Sequence, residues 1–403
     1  MNILFLSELF YPHGGGAEFA TYLYAKSLAS KGYDVVVVTN RFVGESEVSK
    51  LGGISLYRLP LFRTTSNVKY SMLRRPDILF CRSMVRLVKK ADLVYVPRLW
   101  FLAIPWAKAY GKPTVLHLHD YIPVCPLAHL YDSFKEEKCT RKNSILCSQK
   151  CIKSYESSQP SRSRTEILTS VSLNSLIGPS LAKLTQLSDV AICVSEGQKE
   201  LITTKAPFLA QKIHVIRNPL PELHYLDSEN EGFAYFGGSS MMKGFHVLCK
   251  ALEMSSDKRI QVIGTGFDLG KERYTSLGKA RIEKHPWIGP KEMANIYGRI
   301  RAVIVPSICP EPLPYVVYEA LLRGRIVIAS DIGGIPEQVV GCPGTFLFPP
   351  GDSNELARLM TYVSSMDRQK ARELGLQNRS NTLEKNQTEK SVQEFTTLVN
   401  SLV

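Results

Sequence analysis

The chain has 403 residues, 44% of them hydrophobic and 22% charged, with a formal net charge of +13 at pH 7. That length suits two or three globular domains, and the composition excludes a disordered or fibrous chain. No run of roughly 18 apolar residues occurs, so no segment reads as a membrane-spanning helix.

Asn2–Ser7 reads as a buried strand. The start lacks the basic region of a signal peptide, so a cytoplasmic protein is expected, with its nine cysteines mostly reduced. Gly14-Gly15-Gly16 then precedes a helix predicted over Phe19–Lys31 and closed by Gly32. Glycines at a helix start let the backbone approach an anion closely. Phe19 stands where G-x-G-x-x-G needs its last glycine, and no Gly-Lys-Ser/Thr follows, which argues against dinucleotide and P-loop fingerprints. Further strands are predicted at Tyr33–Thr39, Ile54–Arg58 and Asp92–Pro97. Helices are predicted over Met72–Lys90 and, kinked at Pro105, over Trp100–Tyr110.

Between Arg58 and Lys112 twelve basic residues are opposed only by Asp77 and Asp92. Leu99-Trp100-Phe101-Leu102 and Trp106 share this window. Exposed aromatics beside basic charge would suit an anionic membrane surface. The alternative is a solvated basic face with both tryptophans in the core. No recognition motif for nucleic acid accompanies the charge, and none is expected as a partner.

Thr114–His119 reads as a strand with His117 and His119 on one face and Asp120 at its carboxyl end. Cys125, Cys139, Cys147 and Cys151 follow in polar surroundings. Four thiolates suffice for structural zinc or an iron–sulfur cluster, but the spacing lacks two C-x2-C pairs, and unmetallated thiols are the alternative. Ser154–Thr165 reads as a loop, Leu168–Leu187 as a helix interrupted at Gly178-Pro179, and Asp189–Val194 as a strand. Ser195 is the expected N-cap of a helix over Glu196–Thr203, and Lys212–Ile216 the last strand of a first domain. A linker is expected from Asn218 to Gly232.

The second domain opens with a strand at Phe233–Phe236, the loop Gly237–Gly244 carrying Lys243, and a helix over Phe245–Glu253. A lysine at such a turn can neutralise a diphosphate. A strand at Arg259–Gly264 and Trp287-Ile288-Gly289 follow. Ala302–Val305 is a buried strand, and Glu311 lies in the proline-rich loop after it. Tyr315–Arg323 is a helix carrying Glu319 and stopped by Gly324; Arg325–Ala329 is the next strand. This strand–loop–helix–strand unit belongs to the doubly wound α/β class, whose ligands bind at the carboxyl ends of the strands. A carboxylate can accept both hydroxyls of a vicinal diol. Two glutamates beside a helix start therefore suit a ligand bearing hydroxyls and phosphate; a solvated loop residue and a helix-surface charge are the plainer alternative.

These motifs, in order over almost the whole chain, resemble the retaining GT-B glycosyltransferases of glycosyltransferase family 4. The Glu-x7-Glu pair is Glu311 and Glu319, flanked by Pro306-Ser307, Gly324, Gly333-Gly334 and Glu337. The loop Pro12–Glu18 resembles the family's Pro-His-x-Gly-Gly-x-Glu, and Lys243-Gly244 its Lys-Gly. The resemblance implies two Rossmann-like doubly wound domains facing a cleft. They would be an acceptor-side domain over 1–219 with a cysteine-bearing insert at 121–165, and a nucleotide-sugar-binding domain over 220–385. A helix over 386–403 would return to the first domain. It also implies a nucleoside diphosphate sugar donor, based on UDP, GDP or another nucleotide, and no catalytic metal. His119 would lie near the transferred sugar, with Asp120 orienting it or touching acceptor. Glu311 would hold sugar hydroxyls and Glu319 the ribose. Lys243, Gly15 and Gly16 would contact the diphosphate, and Gly264 and Ile288 the nucleotide. The acceptor would be a glycan or lipid-linked molecule, with the protein peripheral on the cytoplasmic face of the membrane. Two positions depart from the pattern: Gly238 occupies an arginine slot, and Pro314 a glycine slot, where it lacks an amide donor. They leave open a non-catalytic sugar-nucleotide-binding relative; a nucleotide-sugar epimerase on the same fold is the other alternative.

Overall fold

The computed structural model describes residues 1–62, 76–141, 144, 147–157, 163–227, 232–268, 273–386 and 388–403. The chain forms two units, Met1–Pro219 with Thr388–Val403, and Leu220–Gln387.

Among the described residues, ten strands belong to the first unit: β1 (Asn2–Leu6), β2 (Asp34–Asn40), β3 (Val48–Leu51), β4 (Ile54–Leu59), β5 (Leu93–Val96), β6 (Thr114–Leu118), β7 (Tyr131–Asp132), β8 (Glu137–Lys138), β9 (Val190–Cys193) and β10 (Ile213–Val215). Eight form one sheet in the order β10-β9-β6-β5-β1-β2-β4-β3, parallel except for β3. β7 and β8 form a separate hairpin. The strands are apolar on both faces because the sheet is covered on both. Leu4, Leu6, Val36, Val38, Val94 and Val96 enter one core, while Ile3, Phe5, Val35, Val37, Leu93 and Tyr95 enter the other. Phe395 and Val399 of the terminal helix Thr388–Asn400 complete the second core, packing against Tyr24 and Tyr95.

Among its described residues the second unit has seven strands: β11 (Gly232–Tyr235), β12 (Gln261–Gly264), β13 (Tyr274–Leu277), β14 (Ala280–Lys284), β15 (Ile300–Val305), β16 (Ile326–Ser330) and β17 (Thr345–Phe348). Their order is β13-β14-β12-β11-β15-β16-β17, with only β13 antiparallel. Each unit thus reverses its winding once, between β1 and β5 and between β11 and β15. Those switch points open a crevice at the carboxyl ends of the strands.

Three expectations change, and one open alternative is decided. Met72–Arg75 lie outside the described residues; beyond them Pro76–Phe80 is a 3-10 turn and the helix spans only Arg82–Lys90. Pro76 lacks the N–H that an α-helix running through it would use. The helix Arg164–Leu187 runs unbroken for 24 residues through Gly178-Pro179. Its N-cap is Ser163, which accepts from the Glu166 amide, and Lys153–Ser157 is helical where a loop is expected. Trp100 and Trp106 are buried, only 4% and 5% exposed, in the core under β5 and β6. The basic window therefore lacks those aromatics on its surface; Arg63, Lys69, Arg74 and Arg75 of that window lie outside the described residues.

Candidate active site in two half-sites

In the first unit three parallel strands deliver charge to the switch point. Glu8 follows β1, Arg98 follows β5, and His119 and Asp120 follow β6. The glycine loop turns directly into helix Gly16–Ser30, with Gly15 as N-cap. Glu18 caps the helix start by accepting from the Gly15 amide at 2.8 Å, the one half of a capping box open to an N-cap without a side chain. Gly14 has φ +101, and a Cβ there would stand 2.5 Å from the Glu18 side chain, so only glycine leaves room for this return.

Arg98 joins the group. It donates to Glu18 Oε1 at 2.5 Å, and its Nε lies 3.7 Å from Glu8 and 3.9 Å from Asp120. The first sheet's charges are therefore unequal. Burial pushes the Glu8 carboxyl up to about 7 despite Arg98. Burial also acts on Glu18, but Arg98 and the Gly15 amide outweigh it and hold that carboxyl below its usual range. Arg98 is thus part of a half-buried ion network and not of a solvated basic surface. Sequence reading missed both Arg98 and Glu8. The available signal was their place just past β5 and β1.

His119 is pushed down to about 4 by burial, so it is neutral at physiological pH, and its Nε2 is buried with no hydrogen-bond partner. It stacks on His117 with ring centroids 4.3 Å apart, while His117 Nδ1 bonds the Tyr95 hydroxyl at 2.7 Å. His117 is the core histidine of the pair. Asp120 accepts from the Ile122 amide at 2.8 Å, and Gln198 donates to the Leu118 and Asp120 carbonyls, pinning the strand end.

In the second unit Lys243 Nζ donates to Glu311 Oε1 at 2.6 Å, and Ser307 Oγ donates to the same oxygen at 2.8 Å. Burial would lower the Lys243 pKa, but Glu311 outweighs it and raises it. Glycine makes this contact possible. Gly244 has φ +76, and a Cβ there would lie 1.7 Å from the Pro306 carbonyl oxygen. Gly333 packs equally closely on the Glu311 backbone, while the Gly334 amide donates to the Glu311 carbonyl at 2.7 Å. Glu319 is half-buried on helix Tyr315–Leu322. Burial pushes it up to about 7 against Arg323 and the Tyr297 hydroxyl.

Gly238 has φ +58, and a Cβ there would meet the Gly266 carbonyl at 2.3 Å. The loop is closed to an arginine at that position without a backbone shift. Gly264 ends β12, where a Cβ would touch Phe267. Ile288 is a core residue of the second unit, packed with Ile296 and Tyr297, while Trp287 is exposed. Pro314 is the N-cap of Tyr315–Leu322, and its carbonyl accepts from Gln338.

The four cysteines after β6 line one recess with Val124, Pro126, Leu127, Tyr131, Asp132, Arg141 and Ile152. Among the described residues no three His, Cys, Asp or Glu side chains already stand at metal-binding spacing.

Comparison with known proteins gives two family matches. Residues 14–221 match the model described as Glycosyltransferase Family 4, and residues 231–365 the model described as Glycosyl transferases group 1. An uncharacterised 42.6 kDa protein of the cps region of Klebsiella pneumoniae is 24% identical over 356 residues, covering 84% of this chain and 87% of that protein. Sucrose-phosphate synthase from Thermosynechococcus elongatus superposes with a TM-score of 0.71 at 16% identity, covering 100% of this chain and 98% of that one. An Anabaena protein, HepE, in complex with UDP-glucose gives 0.64 at 19% identity, with 100% of both chains covered.

Proposed function

The chain belongs to the group 1, family 4 glycosyltransferases and has their GT-B fold, and we propose from this that it moves a sugar, with retention, from a nucleoside diphosphate sugar to a lipid-linked acceptor. The observation that carries the donor half is the Lys243–Glu311–Ser307 cluster at the carboxyl end of β15. Lys243 is a half-exposed cation able to change partners. When a diphosphate arrives, Lys243 turns to it, and Glu311 is released to accept hydroxyls of the sugar. Glu319 accepts the ribose hydroxyls, with Gly264 and Ile288 beside the nucleotide. The neutral His119 offers its unpartnered Nε2 to a sugar hydroxyl, and Asp120, held by Ile122 and Arg98, faces acceptor. The amides of Gly15 and Gly16 border the diphosphate in this reading, and Lys243 and helix starts stabilise the leaving group in place of a catalytic metal. HepE binds UDP-glucose in its crystal structure, which makes UDP-sugars the first donors to try. Proton NMR of the product from an α-linked donor tests retention: an α-linkage is expected, and a β-linkage contradicts it.

Glu319 gives this reading a pH signature. Its folded pKa of about 7 is raised, so the neutral acid is favoured as pH falls below 7. A neutral carboxyl accepts fewer hydroxyl bonds. KM for the donor should therefore rise several-fold from pH 8 to pH 6, and Glu319→Gln should flatten that profile at a high KM. An unchanged profile in the variant would remove Glu319 from the ribose role.

The acceptor half rests on the helix Arg82–Lys90. Met84 and Val88 are buried, while Arg82, Arg86, Lys89 and Lys90 are exposed, and Phe80 beside them is 68% exposed. A basic face of this kind suits anionic headgroups at a cytoplasmic membrane surface. Binding to anionic liposomes is expected at low salt and should fall as ionic strength rises. Failure to bind at low salt would contradict the membrane reading. Among the described residues no helix is long and apolar enough to cross a membrane.

A further inference from the structure

The segment between β6 and the helix Arg164–Leu187 sends Tyr121, Ile122, Val124 and Leu130 into the core of the first unit and holds three distinct devices around one recess. The first is a tight turn. Ala128 and Leu130 both have positive φ, +67 and +51, which non-glycine residues rarely adopt. The turn is closed by the Ala128 amide, which donates to the Cys125 carbonyl at 2.8 Å. The second is the β7–β8 hairpin, which returns Cys139 beside the turn, where its amide donates to the Leu130 carbonyl at 2.9 Å. The third is the helical turn Ser148–Ile152, which carries Cys151, with Cys147 as its N-cap one turn before. All four cysteines line the same recess.

We propose that Cys125, Cys139, Cys147 and Cys151 hold one zinc ion as four thiolates, a structural staple of this segment. Two observations favour an ion over four ordinary thiols. All four cysteines line one recess. Four thiolates with a divalent cation also carry a net double negative charge, and cations stand ready for it. Lys205 Nζ lies 4.0 Å from the Cys139 sulfur, and Arg141 lines the recess while pairing with Asp132 at 3.3 Å. Binding draws the four sulfurs inward to zinc–sulfur distances of about 2.3 Å.

The test is elemental analysis of the whole chain, purified without a metal-affinity tag. One zinc per chain is expected, falling below about a tenth in Cys139→Ser and Cys151→Ser. Because those variants could fail to fold, the wild type supplies a second readout. A mercurial reagent that titrates thiols should release one zinc as four of the thiols react. Cobalt exchanged into the site should give the spectrum of a tetrahedral four-thiolate complex. Wild type without zinc, iron with sulfide in place of zinc, or cobalt in an oxygen-ligand spectrum would each overturn the proposal.

Discussion

Glu311→Gln lowers kcat/KM for transfer by about 10²–10³-fold, the loss typical of removing one preorganised electrostatic contact to the reacting group. The change is nearly isosteric, and Ser307 keeps an acceptor at 2.8 Å. What disappears is the charge that holds Lys243 at 2.6 Å before donor arrives and meets the sugar hydroxyls afterwards. The loss should fall mainly on kcat, because the contact to the sugar matters most as the bond to the leaving group breaks. Lys243→Met should lose a similar factor through the diphosphate. The two losses should not add in the double variant, since the residues touch. Additive losses, or a Glu311→Gln enzyme within about threefold of wild type, would contradict the proposed exchange of partners.

Arg98→Met destabilises the first unit by about 3 kcal/mol, the lower end for breaking a buried ion pair from one side, because Arg98 is a third exposed. That corresponds to a fall of about 6–12 °C in Tm for a unit of this size. Glu8 and Glu18 are 1% and 4% exposed at their side chains and would be left without their cation. The sign with pH follows. In wild type Glu18 sits below the usual range, so its contribution is present above the unfolded pKa and is lost as acid protonates it. In the variant both carboxyls are raised, so stability falls as pH rises through their folded values. The deficit against wild type is therefore larger at pH 8 than at pH 5.5. Thermal melts at the two values check this, and Glu18→Gln in the Arg98→Met background should restore part of the loss. A deficit that is the same at both values would contradict the network.

The doubly wound fold was legible because its strands are local apolar runs. Val35–Val38 and Ala302–Val305 need no partner to be recognised, and helix ends at Gly324 and Ser195 carry their own caps. The β13–β14 hairpin escaped because β13 alternates exposed and half-buried residues at a sheet edge, with no apolar run to mark it. The helix over Arg164–Leu187 passes through Gly178-Pro179 because tertiary packing overrides local propensity. In the site, Glu311 and Lys243 stood out by their loops, but their direct contact spans 68 residues. Arg98 looked like one surface charge among twelve; its bond to Glu18 spans 80 residues, beyond any local pattern. Gly238 shows the reverse case: the sequence marked a missing arginine, and the structure adds that the Gly266 carbonyl leaves no room for one.

The most direct test is nucleoside diphosphate release from a panel of UDP-, GDP- and ADP-sugars, with membrane lipid extract added, for wild type and Glu311→Ala. Lipid-dependent release from one donor, lost in the variant, is the expected result. Binding of a sugar nucleotide with no release under any of these conditions would contradict catalysis and favour a binding subunit.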